Sequence, residues 1–292
     1  MSTNITALFC CLDDFCKVYR EWERNHLIPT DRQRCRDGKL SLSEMLFIMV
    51  LFHLDPFKNF KVFYQYGVCH RHRRCFKEIP CYDRFIQLMP RLFMPLTLLL
   101  HSLSGEETGI YFADSTSLKV CHNKRIHRHR TFDGLAARGK TSMGWFYGFK
   151  LHVIINHKGE IVALKITTGN TDDRTVLDDL TKNLKGKLCA DKGYIGKNLF
   201  QSLWQRGLHL ITGIRKNMKN YLMPWIDKWL LRKRFIVETV FNTLKSHMGL
   251  EHSRHRSHIN AMIHILSCLT AYAFKTPKPA IRLINKSITA YP

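Results

Sequence analysis

Apolar and polar positions follow a helical period in the first third of this 292-residue chain. Beyond that they follow a mixture of strand and helix periods. From Ile5 to about Leu100, Leu8, Leu12, Phe15, Val18 and Trp22 recur at helical intervals and define one stripe. Asp37-Gly38 makes a turn, and Ser41 or Ser43 is placed to cap the apolar run from Met45. Phe57-Lys-Asn-Phe-Lys-Val-Phe-Tyr64 alternates aromatics with lysines, as an amphipathic helix does. The polar stretch Ser102 to Gly109 is a junction. After it the pattern predicts a strand from Gly109, a basic loop, strands from Tyr147 to Asn156 and Glu160 to Thr168, and a stop at Gly169-Asn170. Asp172 or Asp173 then caps a helix carrying Val176, Leu177 and Leu180. A short strand ends at Asp191, a helix carries Leu199 and Leu203, and a strand runs from Leu208 to Ile214. Two more helices follow, one around Glu238 and one from Ile259 to Phe274. The expected organisation is a helical domain over 1–105, an α/β domain over 106–275 and a poorly ordered tail over 276–292.

Three acids interrupt this pattern. Ile110, Phe112 and Asp114 share one face of the first strand, so an acid occupies a place the period fills with a hydrophobe. Asp191 ends an apolar run and precedes a turn signal. In Arg232 to Lys245, at about 100° per residue, Arg234, Asn242 and Lys245 fall within roughly 40° of Glu238. Ile236, Val237, Val240, Leu244 and Met248 gather on the neighbouring, burying arc. Taken singly, each acid has an ordinary reading: a turn or cap aspartate, or an Arg-Glu pair one helical turn apart.

Charge narrows the choice of partner. Lys and Arg number 46 against 23 Asp and Glu, a formal charge of +23. Such an excess destabilises a compact fold unless a polyanion or screening offsets it. Nucleic acid is the natural partner, an acidic membrane surface the weaker one. The cations cluster at His70 to Arg74, Lys124 to Arg130 (with Arg128 and Arg130), Arg232 to Arg234, and Arg254 to Arg256. Clusters on separate segments suit a long DNA path. The longest apolar run, Met45 to Phe52, is far short of the ~20 residues of a membrane span. The N-terminus lacks a basic n-region, and the ten cysteines follow no framework spacing, so they read as reduced thiols. Cys69, His70, His72, Cys75 and Cys81 lack the paired spacing of a zinc site.

The sequence resembles the DDE transposases of bacterial insertion sequences, most nearly the insertion-sequence family numbered 982. The resemblance rests on Ala-Asp114-Ser-Thr-Ser-Leu, Trp-Phe-Tyr-Gly148-Phe-Lys-Leu-His152, Gly169-Asn-Thr-Asp-Asp173, Ala-Asp191-Lys-Gly-Tyr, Lys216-Asn-Met-Lys219, Leu-Arg-Lys-Arg234-Phe-Ile-Val-Glu238-Thr-Val-Phe and His252-Ser-Arg-His-Arg-Ser257. Arg234, Glu238 and Lys245 fit the Arg-x3-Glu-x6-Lys part of a family signature, but its tyrosine position is Leu231. The resemblance implies a ribonuclease H-like mixed five-stranded sheet flanked by helices, preceded by a small all-helical domain that grips transposon ends. It also implies a catalytic triad of Asp114, Asp191 and Glu238 holding two Mg²⁺ ions, with Mn²⁺ as a substitute. Arg234 and Lys245 would hold the scissile or flanking phosphate. Lys150, Lys192, Lys216, Lys219, Arg254 and Arg256, with Arg128 and Arg130, would line the double-stranded DNA of the terminal repeats and the target. A homodimer on DNA in the bacterial nucleoid completes the expectation. A nuclease without strand transfer and a non-catalytic DNA-binding relative are the alternatives.

Overall fold

A computed structural model describes residues 4–26, 38–141, 144–215, 218, 222–251 and 255–282. Two compact units emerge. One comprises 1–103, 246–250 and 255–276, and the other 104–245, 251–254 and 277–292.

The first unit is helical. Its helix α1 (Ile5–His26) buries Leu8, Leu12, Cys16 and Tyr19, while Val18 and Trp22 of the expected stripe are exposed. The physical reason is drift. Repeated steps of three residues lag the 3.6-residue turn, whereas mixed steps of four and three stay on one face. Helix α2 (Leu42–Leu54) is capped by Ser41, which accepts the Glu44 N–H while the Glu44 carboxylate accepts the Ser41 N–H. Almost all of α2 is buried, as its continuous apolar run requires. Next come α3 (Phe60–Val62, continuing as a π-helical segment over Phe63–Arg71), α4 (Tyr82–Leu88) and α5 (Phe93–Ser102). Rings of Phe52, Phe60, Phe63, Tyr64 and Phe85 pack at centroid distances of 5.0–6.3 Å. The interleaved lysines are engaged within the unit: Lys58 donates to the carbonyls of Ser246 and His247, and Lys61 stands over the Tyr82 ring.

The last helix, α10 (His258–Phe274), corrects the expected boundary. Sequence places it in the α/β domain, yet it packs on α2 and α5 in the helical unit. It is apolar nearly all round, from Ala261 to Tyr272, and a helix of that kind has to lie inside a core. The expected tail also departs from its reading where it is described. The Ile281 N–H donates to the His157 carbonyl at 2.8 Å, so this stretch docks on the α/β unit.

The second unit holds one mixed sheet. Its strands are β1 (Ile110–Cys121), β2 (Ala137–Thr141), β3 (Gly144–Asn156), β4 (Ile161–Thr168), β5 (Gly186–Ala190) and β6 (Leu208–Thr212). Strand β3 pairs antiparallel with β1 along one edge. Its other edge is shared, with β2 along 144–148 and β4 along 149–155. Strands β5 and β6 continue the sheet in parallel from β1. Leaving aside β2, the order β4-β3-β1-β5-β6 is the ribonuclease H-like order. Six strands rather than five form because the basic loop folds back as β2. Gly148 allows close approach at the bulge: its φ is +157° and a Cβ there would meet the Leu118 carbonyl at 2.0 Å. Helices α6 (Asp173–Leu180) and α7 (Lys197–Gln205) supply Leu177, Leu199 and Leu203 to a core with Tyr111, Ala113 and Leu188. Helices α8 (Trp225–Lys233) and α9 (Phe235–Asn242) meet at Arg234. The one helix expected around Glu238 is thus two, followed by a π-helical turn over Thr243–His247.

Candidate active site

Strand β1 sets the site because its side chains alternate between two faces. Tyr111 and Ala113 join the core with α6 and α7. Ile110 and Phe112 are buried on the opposite face, and α9, which packs on β1, buries Ile236, Val237, Val240 and Phe241. Asp114 continues the Ile110–Phe112 row, as the period predicts.

Arg234, at the α8–α9 junction, joins two of the three predicted acids. Its Nη1 donates to Asp114 Oδ2 at 3.0 Å and its Nη2 to Glu238 Oε1 at 2.9 Å. The acids lie far apart in sequence, and only the packing of α9 on β1 brings them to one guanidinium. Their environments differ: the Asp114 side chain is 22% exposed and that of Glu238 58%. Burial pushes the Asp114 carboxyl above the ordinary value. The Ser115 N–H, donating to Oδ1 at 2.8 Å, and Arg234 oppose that, while the charge on Asp191 adds to it. Asp191, exposed at the end of β5, opens a short 3₁₀ turn. The neighbouring phenol of Tyr194 reports the same convergence. Burial holds it protonated first, and the charges of Asp173, Asp114 and Asp191 all add to that.

The expected three-carboxylate ligand set is not assembled as one cluster. Among the described residues no three His, Cys, Asp or Glu side chains stand in reach of one ion. A guanidinium sits between two of the acids instead. The donor set nevertheless fits a hard divalent cation, since all three groups are carboxylates. The Asp114–Glu238 pair already accepts one positive group.

The predicted cations are placed as follows. Lys245 lies in the π-helical turn, which shifts it from the arc of Glu238. Its Nζ donates to the Ser117 carbonyl at 2.6 Å and pairs with Glu251 at 3.3 Å. Lys150 is 15% exposed and bound to Asp173 Oδ1 and the Thr171 carbonyl, both at 2.9 Å. Lys192, Arg128, Arg130 and Arg256 are exposed. Lys216, Lys219 and Arg254 lie outside the described residues.

Sequence reading missed one group. On the opposite face of β1, Ser115 Oγ donates to Asp173 Oδ2 at 3.1 Å, and His152 Nδ1 stands 3.8 Å from Asp173 Oδ1. Helix capping is done by Asp172, which accepts the Arg174 N–H. Two successive acids where one suffices for the cap was the available signal that Asp173 has another role.

A family model described as Transposase DDE domain matches residues 104–258, more than half of the chain. A comparison with curated proteins gives no match. Among solved structures, the chain is similar to a piggyBac transposase in its synaptic complex with hairpin DNA. The TM-score is 0.45 at 10% identity, covering 83% of this chain and 68% of that one. A Mos1 mariner paired-end complex with Mn is similar at a TM-score of 0.24 and 11% identity, covering 85% and 98% respectively.

Proposed function

Since the chain belongs to the family of transposase DDE domains, we propose that it is a metal-dependent DNA transposase that binds the ends of its element, cuts them and joins them to target DNA. The observation that carries this reading is the meeting of acids from separate elements around Arg234. Asp114 and Glu238 share its guanidinium, and Asp191 repels the charge on Asp114. Mutual repulsion disfavours such a group unless a cation offsets it. Two Mg²⁺ ions held by Asp114, Asp191 and Glu238, or Mn²⁺ in their place, would supply the activation of a water or 3′-hydroxyl and the stabilisation of the leaving oxygen. Arg234 carries a planar fork that suits phosphate as well as carboxylate, so we assign it to the phosphate beside the cut. Exposed Lys192, Arg128, Arg130 and Arg256 are assigned to the flanking backbone, where contacts position the duplex without reading sequence. End recognition is assigned to the helical unit and activity to a homodimer on DNA. On the motifs above, the insertion-sequence family numbered 982 is the nearest group.

The test is incubation of the purified chain with labelled DNA bearing the element's terminal repeats and Mg²⁺. Joined products are expected. Cut ends without joining would make it a nuclease, and a mobility shift with neither would make it a binding protein. Asp114→Asn, Asp191→Asn and Glu238→Gln should each lower cleavage by about 1,000-fold or more while leaving duplex affinity nearly unchanged. Cleavage within about tenfold of wild type for any one variant removes that residue from the triad.

A further inference from the structure

The α/β unit contains a second concave site, an open cavity of about 620 Å³ reached by β2, the start of β3 and the turn after β4. Two of its cations are already matched by its two acids: Lys150 pairs with Asp173 at 2.9 Å and Arg174 with Asp172 at 2.6 Å. Arg138, Lys140 and Arg215 also line it, and none of the three has a carboxylate partner among the described residues. The Arg215 guanidinium donates to the Lys192 carbonyl at 3.3 Å. The cavity therefore carries three uncompensated positive charges.

Beside them stands an aromatic ring with little to pack on. Trp145 is 57% exposed, and Lys140 Nζ lies 5.7 Å from its ring centroid. The wall next to it is bare backbone. A Cβ on Gly139 would meet the Gly169 carbonyl oxygen at 2.1 Å, so no side chain can fill that place.

Cations alone would suit duplex phosphates. An exposed indole in a concavity of this size suits something else, because in a duplex each base face is covered by its neighbours. Away from a duplex end, only an unpaired base offers a free face for stacking, and its own phosphates bring the anions. We propose that this cavity holds one unpaired nucleotide of a DNA strand, its base stacked on Trp145 and its phosphates on Arg138, Lys140 and Arg215. Asp173 lines the cavity and binds Ser115, on the face of β1 opposite Asp114, so the cavity is separate from the acid site. The inference rests on the transposase reading for its choice of DNA.

The experiment measures binding of the full-length protein to a labelled blunt duplex and to the same duplex with a three-nucleotide single-stranded extension. Wild type should bind the extended DNA more tightly by roughly 5- to 100-fold. Trp145→Ala should erase that advantage without changing blunt-duplex affinity, and Trp145→Phe should keep most of it. Equal binding of both DNAs by wild type, or an equal loss on both in Trp145→Ala, overturns the pocket and leaves the transposase reading intact. Binding of neither DNA overturns the proposed function itself.

Discussion

The two faces of β1 carry charge in contrasting ways. On the α9 face, Asp114 and Glu238 are held by one guanidinium, with a third acid near enough to repel. On the α6 face, Asp173 is bound by Lys150 at 2.9 Å and by Ser115 at 3.1 Å, with His152 at 3.8 Å. The first arrangement has more acid than base, and one of its acids is largely exposed. In the second, Lys150 and Ser115 both donate to Asp173 and the helix N-terminus adds a favourable dipole, while the buried Nδ1 of His152 makes no hydrogen bond among the described residues. An acid-rich group with an exposed member can take up a further cation, whereas a paired carboxylate ties strand and helix together. Adjacent residues of one strand, Asp114 and Ser115, thus serve opposite ends because the pleat sends them to opposite sides.

The sharpest way to break this contrast is to neutralise one acid on each face. Asp173→Asn leaves the Lys150 ammonium enclosed without its counter-ion and should cost about 3 kcal/mol in denaturant unfolding. Asp114→Asn should cost nothing in the metal-free protein at neutral pH. The Asp114 carboxyl is raised above its ordinary value, so its contribution to stability is present at low pH and lost as pH rises through its folded value. A loss above about 1 kcal/mol in Asp114→Asn, or none in Asp173→Asn, would erase the distinction.

A second test uses His152, buried with Nε2 2.9 Å from Thr167 Oγ1. Burial lowers its pKa from 6.5 to about 4; Asp173 opposes the shift, and Lys150 and Lys165 add to it. The unfolded chain binds this proton first as pH falls. Stability from the neutral ring is therefore complete above about pH 6.5 and is lost progressively toward pH 4. Unfolding curves across that range should show a loss of roughly 2–3 kcal/mol. His152→Gln should flatten that part of the curve, and an unaltered slope would assign the loss to other groups.

The smallest effect sharpens the other side. Arg234→Ala removes the shared counter-ion and should lower stability at low salt by about 1 kcal/mol. Added Mg²⁺ should raise the melting temperature of this variant more than that of wild type, because Asp114 and Glu238 then have no ion-pair partner among the described residues. An equal Mg²⁺ shift in both proteins would mean that Arg234 does not offset the repulsion.

Local pattern was enough for most elements and for the face of Asp114, since strand alternation and helical arcs are written residue by residue. Ser41 was one of two candidate caps and proved to be the one used, and Ile236, Val237 and Val240 lie buried on the arc that the period predicts. The fate of the cations was not legible. Lys150 and Lys245 looked like DNA ligands, yet each bonds a carbonyl and pairs with a carboxylate as well. Nothing in a run of basic residues tells which ones the fold will spend.

Sequence by itself thus determined a helical region, the succession of strands and helices that follows it and the strongly basic character, because periodicity and net charge are properties of the chain. Only tertiary structure decided that α10 belongs with α2 and α5, that the expected Glu238 helix breaks at Arg234, and that one guanidinium joins Asp114 to Glu238. Those outcomes depend on which apolar faces find each other across long sequence separations. That choice is made by burial of whole surfaces, which no local spacing encodes.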